Sequence, residues 1–144
     1  MREPLLQRAG EPRRVALMSK DARKPSIAPW LSVRRGAEAV EYYKAAFGAI
    51  ELHRHANDAG EIVAQLSIAG AEFWIADDPD CSPETLGAGS VRMILTVEDP
   101  DPVFARAIAA GATVVAAMYE GHGWRIGRLA DPFGHHWEVA KPLQ

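Results

Sequence analysis

The chain has 144 residues, 48% of them apolar and 24% charged, a composition that fits one globular domain with a full core. No apolar run approaches the roughly 18 residues a membrane span needs, so a membrane partner is not expected. The net charge of −3 is uneven: residues 1–27 hold seven Lys/Arg against three Asp/Glu, hence +4, which leaves −7 for an acidic body that argues against nucleic acid as a partner.

Residues 1–26 read as a flexible basic arm. Pro4, Pro12 and Pro25 with five arginines oppose regular structure, and charges interrupt any apolar core of a signal peptide. Met18 offers an internal start. A tail without function and a partner-docking arm are both open readings.

Strand signals begin at Ile27 and run to Arg34. A helix follows over Ala37–Phe47, with Ala39, Val40, Tyr43 and Phe47 at helical spacing and Gly48 as its stop. Three strands come next, near Ile50–His55, Glu61–Ile68 and Ala71–Ala76. Asn57-Asp58-Ala59-Gly60 and Ala69-Gly70 supply the turns between them. Residues 78–90 are rich in Pro, Gly and Asp and read as a linker and hinge. The one cysteine, Cys81, lies there; it excludes an internal disulfide and a multi-cysteine metal site, and fits a reducing, cytoplasmic setting.

The second half runs the same way. A strand at Val91–Val97 precedes a helix at Asp101–Ala110, with Asp99 and Asp101 at its positive end and Gly111 beyond it. Strands follow near Thr113–Met118, Trp124–Leu129 and His135–Ala140. Asp131-Pro132-Phe133-Gly134 forms the last turn, with proline presetting its first central position. Three internal matches support a repeat. Trp30-Leu-Ser-Val33 matches Ile94-Leu-Thr-Val97, and Gly70–Ala76 matches Gly134–Ala140, both at an offset of 64; Ala45–Ala49 matches Ile108–Ala112 at 63.

Two βαβββ modules, a helix ending in Phe47-Gly48, and Asp131-Pro-Phe-Gly before a Trp137-Glu138 strand resemble the vicinal-oxygen-chelate superfamily. That group includes glyoxalase I, extradiol dioxygenases and the bleomycin- and fosfomycin-resistance proteins. The resemblance implies an α+β fold. Modules 27–77 and 91–142 would lie in tandem within a single domain, 27–144, and form an eight-stranded cup-shaped sheet. It also implies a homodimer, with cup residues drawn from both chains or modules exchanged between them. Fold alone does not assign an activity.

Strand alternation assigns the faces. Leu31, Val33, Phe73, Ile75, Val91, Met93, Leu95, Val97, Trp137 and Val139 should pack on the helices. Trp30, Ser32, Trp74, Arg92, Ile94, His136 and Glu138 should face the cup. Metal-dependent members of the superfamily place ligands at positions that fall here on Ala28, Trp74, Arg92 and Glu138. Of these, only Glu138 can bind a divalent cation, and Arg92 brings a fixed positive charge beside it. No cofactor is therefore expected. Arg92 and Glu138 are expected to pair, because a carboxylate in a cup needs compensation. Trp30, Trp74 and Trp124 would supply flat apolar walls, and His136 a hydrogen-bonding group.

The function implied is metal-independent binding of a small organic molecule, in the manner of the bleomycin-resistance branch. The alternative is a divalent-metal-dependent lyase, isomerase or dioxygenase with Glu138 as a ligand. A third reading is a structural dimer whose cup is filled by its own side chains. Glu51, His53 and His55 alternate and would share one strand face. His122 sits in a glycine-flanked loop that could act as a lid. Arg125 and Arg128 should face opposite ways, so one of them reaches the cup.

Overall fold

The structure, a computed structural model, describes residues 24–144. The basic arm expected over residues 1–26 thus falls almost wholly outside the described residues. Each module begins with a strand and a helix. The first comprises β1 (Trp30–Val33), α1 (Gly36–Phe47), β2 (Ile50–Ala56), β3 (Ile62–Ile68) and β4 (Ala71–Asp77). The linker holds a 3-10 turn at Pro79–Cys81 and the short helix α2 (Pro83–Leu86). The second module comprises β5 (Met93–Thr96), α3 (Pro100–Ala109), β6 (Thr113–Gly121), β7 (Trp124–Ala130) and β8 (His136–Pro142).

The fold is α+β, and the two tandem modules divide the eight strands of the cup into two four-stranded sheets, ordered β1-β4-β3-β2 and β5-β8-β7-β6. In each, the first strand lies parallel to the last, which requires a crossover, and the helix provides it. The other strands form antiparallel meanders. The repeat is visible in the ladders. Trp30 pairs with Trp74 and Ser32 with Ala76 in one module; Ile94 pairs with Glu138 and Thr96 with Ala140 in the other, each at the offset of 64.

Both helices cover the same side of the sheets and meet each other there. The Tyr42 hydroxyl donates to the Ala107 carbonyl at 3.2 Å, and Arg106 Nε donates to the Ala45 carbonyl at 2.6 Å. One core runs through both modules, and Tyr43, Phe47, Phe73, Phe133 and Trp137 form its aromatic centre. Phe47 and Trp137 have ring centroids 4.7 Å apart. The helix-facing residues expected on β1, β4, β5 and β8 are in this core, except at one end: Val91 precedes β5 and is 81% exposed. Gly48 ends α1 in the left-handed region at φ 68, where a side chain would be strained. Gly127 leaves room for α3, because a Cβ there would lie 2.8 Å from Phe104 and 2.5 Å from the Met118 sulfur.

The turn expected at Asp131–Gly134 does more than reverse the chain. Asp131 is buried, and its carboxylate accepts four hydrogen bonds. Oδ1 takes the backbone N–H of Phe133 (2.9 Å) and His135 (3.0 Å); Oδ2 takes the Trp137 indole N–H (2.9 Å) and the Tyr43 hydroxyl. A residue read from sequence as turn chemistry thus ties the turn to α1 and β8. Burial, with the Asp131 carboxylate adding to it, pushes the Tyr43 phenol well above its usual value; Tyr42 is raised for the same reasons in the same order.

The linker is not a bare hinge. Ser82 is fully buried, its hydroxyl donates to the Pro79 carbonyl at 3.0 Å, and Pro83 lies against Gly134 of the last turn.

Candidate functional site

Residues directly opposite in a ladder share a face, so the registers define two rows on the side away from the helices. In the first sheet the row is Trp30, Trp74, Gln65 and His53. In the second it is Ile94, Glu138, Arg128 and Ala116. Among the described residues no helix packs over these faces, and large apolar groups stand on them in the open: Trp30 is 54% exposed and Ile94 61%.

Trp30 and Trp74 stack, with centroids 6.5 Å apart and planes 28° from parallel. Parallel pairing of β1 with β4 sets this, because it places the two indoles side by side. The expected ion pair also forms. Arg92 Nε lies 2.5 Å from Glu138 Oε2; the Glu138 side chain is 12% exposed and that of Arg92 46%. Arg92 stands just before β5 rather than inside it, and reaches Glu138 on the adjacent strand of the same sheet.

Sequence reasoning missed Arg128 as a named site residue. It sits opposite Glu138 in the β7–β8 ladder, and its Nε and Nη2 lie 3.2 and 3.0 Å from His136 Nδ1. A guanidinium can only donate, so His136 Nδ1 accepts and the ring proton is on Nε2. The signal was present: counting outward from the Asp131–Gly134 turn puts Arg128 across from Glu138. Arg125 takes the opposite face and binds Asp101 of α3 through both nitrogens, at 3.0 and 2.6 Å. That contact holds Asp101 below and Arg125 above their usual pKa values.

The modules meet at a cavity of about 540 Å³. Trp30 and Ser32 line it from the first module, His136 from the second, and Leu86, Gly89 and Val91 from the linker. His135, also in its lining, donates from Nε2 to the Ser32 carbonyl at 2.8 Å and so ties the two modules together there. Of the six residues expected to bind a ligand, Trp30 and His136 reach this cavity directly. Trp74 stacks on Trp30, and neither it nor Arg92 nor Glu138 lines the cavity. Trp124 does not join them: it shares the face of Glu138 but pairs with Pro142 at the far end of β7.

One other expectation changes. A bulge between Glu51 and His53 shifts the β2 register, so Glu51 turns to the helix face, 3.2 Å from Lys44, while His53 and His55 keep the open face. Ion pairing with Arg54 and Lys44 lowers the Glu51 pKa. His122 is exposed in the β6–β7 turn at φ 54.

A model of the glyoxalase-like domain matches residues 30–140. The chain belongs to this glyoxalase-like family, within the vicinal-oxygen-chelate superfamily. An uncharacterized protein of Mycobacterium bovis is 40% identical over 131 residues, covering 84% of this chain and 86% of its own. The crystal structure of TioX from Micromonospora sp. ML1 matches with a TM-score of 0.64 at 26% identity, over 81% of this chain and 95% of that one. The fosfomycin resistance protein FosX of Listeria monocytogenes, in a crystal with Mn(II) and sulfate, matches with a TM-score of 0.65 at 15% identity, over 83% and 93%. At that identity the likeness is one of fold.

The superfamily includes metal enzymes, and the donor set here can be tested against a metal. Among the described residues no three His, Cys, Asp or Glu side chains converge. Of the four positions where the resemblance puts ligands, Ala28 is exposed and outside β1, Trp74 and Arg92 offer a cation no lone pair, and Glu138 alone carries a carboxylate. A guanidinium 2.5 Å from the one carboxylate already holds the place a cation would take. These residues do not fit a divalent metal.

Proposed function

We propose that this glyoxalase-like protein binds a small organic molecule, without a metal, in the cleft between its modules. One observation carries the reading: Trp30 of the first module and His136 of the second line a single cavity of about 540 Å³, within the usual size of a small-molecule site. The Trp30–Trp74 stack supplies a flat apolar wall. His136, its ring held by Arg128, presents an Nε2–H donor of fixed direction. The Arg92–Glu138 pair keeps the flank polar and supplies no open coordination position.

A homodimer belongs to the proposal. Trp30 and Ile94 project from faces that no helix among the described residues covers, and a second copy laid on those faces would bury them and wall the cleft. A cytoplasmic setting suits the single exposed Cys81.

The test is metal analysis and a ligand thermal-shift screen on one purified sample. The proposal expects no stoichiometric Ni²⁺, Zn²⁺, Mn²⁺ or Fe²⁺ together with stabilising organic compounds. One equivalent of metal, lost in Glu138→Ala, would overturn it.

A further inference from the structure

We infer that the ligand of the cleft carries an oxyanion, a carboxylate or a phosphate, and that Arg128 is its anchor. The inference rests on the binding reading above and adds the chemical class of the ligand.

The polar cluster on the open face of the second sheet holds two guanidinium groups, Arg92 and Arg128, against one carboxylate, Glu138. Arg92 takes that carboxylate at 2.5 Å. Arg128 lies opposite Glu138 in the ladder, yet among the described residues it has no carboxylate within 4.0 Å; its side-chain partner is His136. The imidazole accepts from Arg128 and carries no negative charge, so it orients the guanidinium without cancelling its charge. Arg128 is half-buried. A partly desolvated cation without a counter-charge favours an anion, and a guanidinium offers it a planar fork of donors. The remaining N–H groups of Arg128 and the Nε2–H of His136 stand on one face, and His136 also lines the cavity that Trp30 walls. Arg128 does not itself line the cavity; an oxyanion on it, with an aromatic body toward the Trp30–Trp74 stack, would take the donors of Arg128 and His136 together.

The test is calorimetric titration of the full-length, chelator-treated protein with 2-naphthoate, 2-naphthyl phosphate and 2-naphthamide at low salt. Both anions should bind at least tenfold tighter than the neutral amide, and their order tells carboxylate from phosphate as the preferred head. Arg128→Met should abolish the preference, bringing the anions down to the affinity that the same variant shows for the amide. Arg128→Lys, which keeps the charge and loses the fork, should retain part of the preference and serves if the methionine variant does not fold. Equal binding of amide and anions by the unmodified protein overturns the anion assignment and leaves the binding reading standing. The same holds if Arg128→Met keeps the preference. Failure of all three probes overturns the assignment; failure of a broad neutral and anionic library as well removes the binding reading too.

Discussion

Removing the Asp131 carboxylate should be among the most damaging single changes to this fold. Asp131→Ala strips the acceptor from four donors. The Tyr43 hydroxyl and the Trp137 indole N–H lie in the core, at 0% and 2% exposure, where water does not replace the lost partner. Each buried donor left unsatisfied costs about 1–3 kcal/mol. The Phe133 N–H is buried too, whereas that of His135 is part-buried and recovers part of its loss through water. The expected total is about 3–5 kcal/mol, a large share of the ~5–15 kcal/mol that holds a domain together. Asp131→Asn keeps one carbonyl oxygen but can turn an NH₂ toward both side-chain donors. The hydroxyl can rotate and accept; the indole N–H cannot, so about half the loss is expected. Tyr43→Phe removes one donor and should cost least, about 1 kcal/mol. Urea unfolding followed by tryptophan fluorescence, with melting as a second probe, reads the series. If Asp131→Ala lies within about 1 kcal/mol of the unmodified protein, or if Asp131→Asn is the worse of the two, the four-donor account is wrong.

Two further outcomes are expected. Tyr42 and Tyr43 have folded-state pKa values raised above the unfolded value of about 10, so stability is full below that pH and falls as the pH rises beyond it. The slope should approach about 1.4 kcal/mol per pH unit for each tyrosine, and Tyr43→Phe should flatten it in denaturant titrations between pH 9 and 11. Ile94→Arg, at an exposed apolar position, should leave the melting temperature of the monomeric unit intact while shifting sedimentation from dimer to monomer; an unchanged dimer would place the interface elsewhere.

Much of this fold was legible because it is written twice. An offset of 64 residues aligned Trp30 with Ile94 and Trp74 with Glu138, and the ladders of both sheets reproduce it. Alternation then fixed the faces, since a strand slipped by one residue would have put Trp137 in solvent and Glu138 in the core. The Arg92–Glu138 pair followed from parity and charge. What failed has local causes. A bulge at Leu52 reset the period of β2 and parted Glu51 from His53, and a bulge leaves little mark on an alternating pattern. Trp124 has the right parity, but parity says nothing of distance along a strand. Arg128 is not marked by its own strand; its meaning lies across the hairpin, in a neighbour that holds it without neutralising it. Asp131 looked like turn chemistry because a sequence cannot show that the reverse side of a turn faces a tyrosine from a distant helix.

The most direct test of metal-free binding in the inter-module cleft is the affinity of a stabilising compound, measured by calorimetry with and without excess chelator. The account predicts the same Kd in both, weakened at least tenfold by Trp30→Ala. Binding that disappears with chelator and returns with Mn²⁺ or Zn²⁺ would contradict it, and would make Glu138 a metal ligand after all.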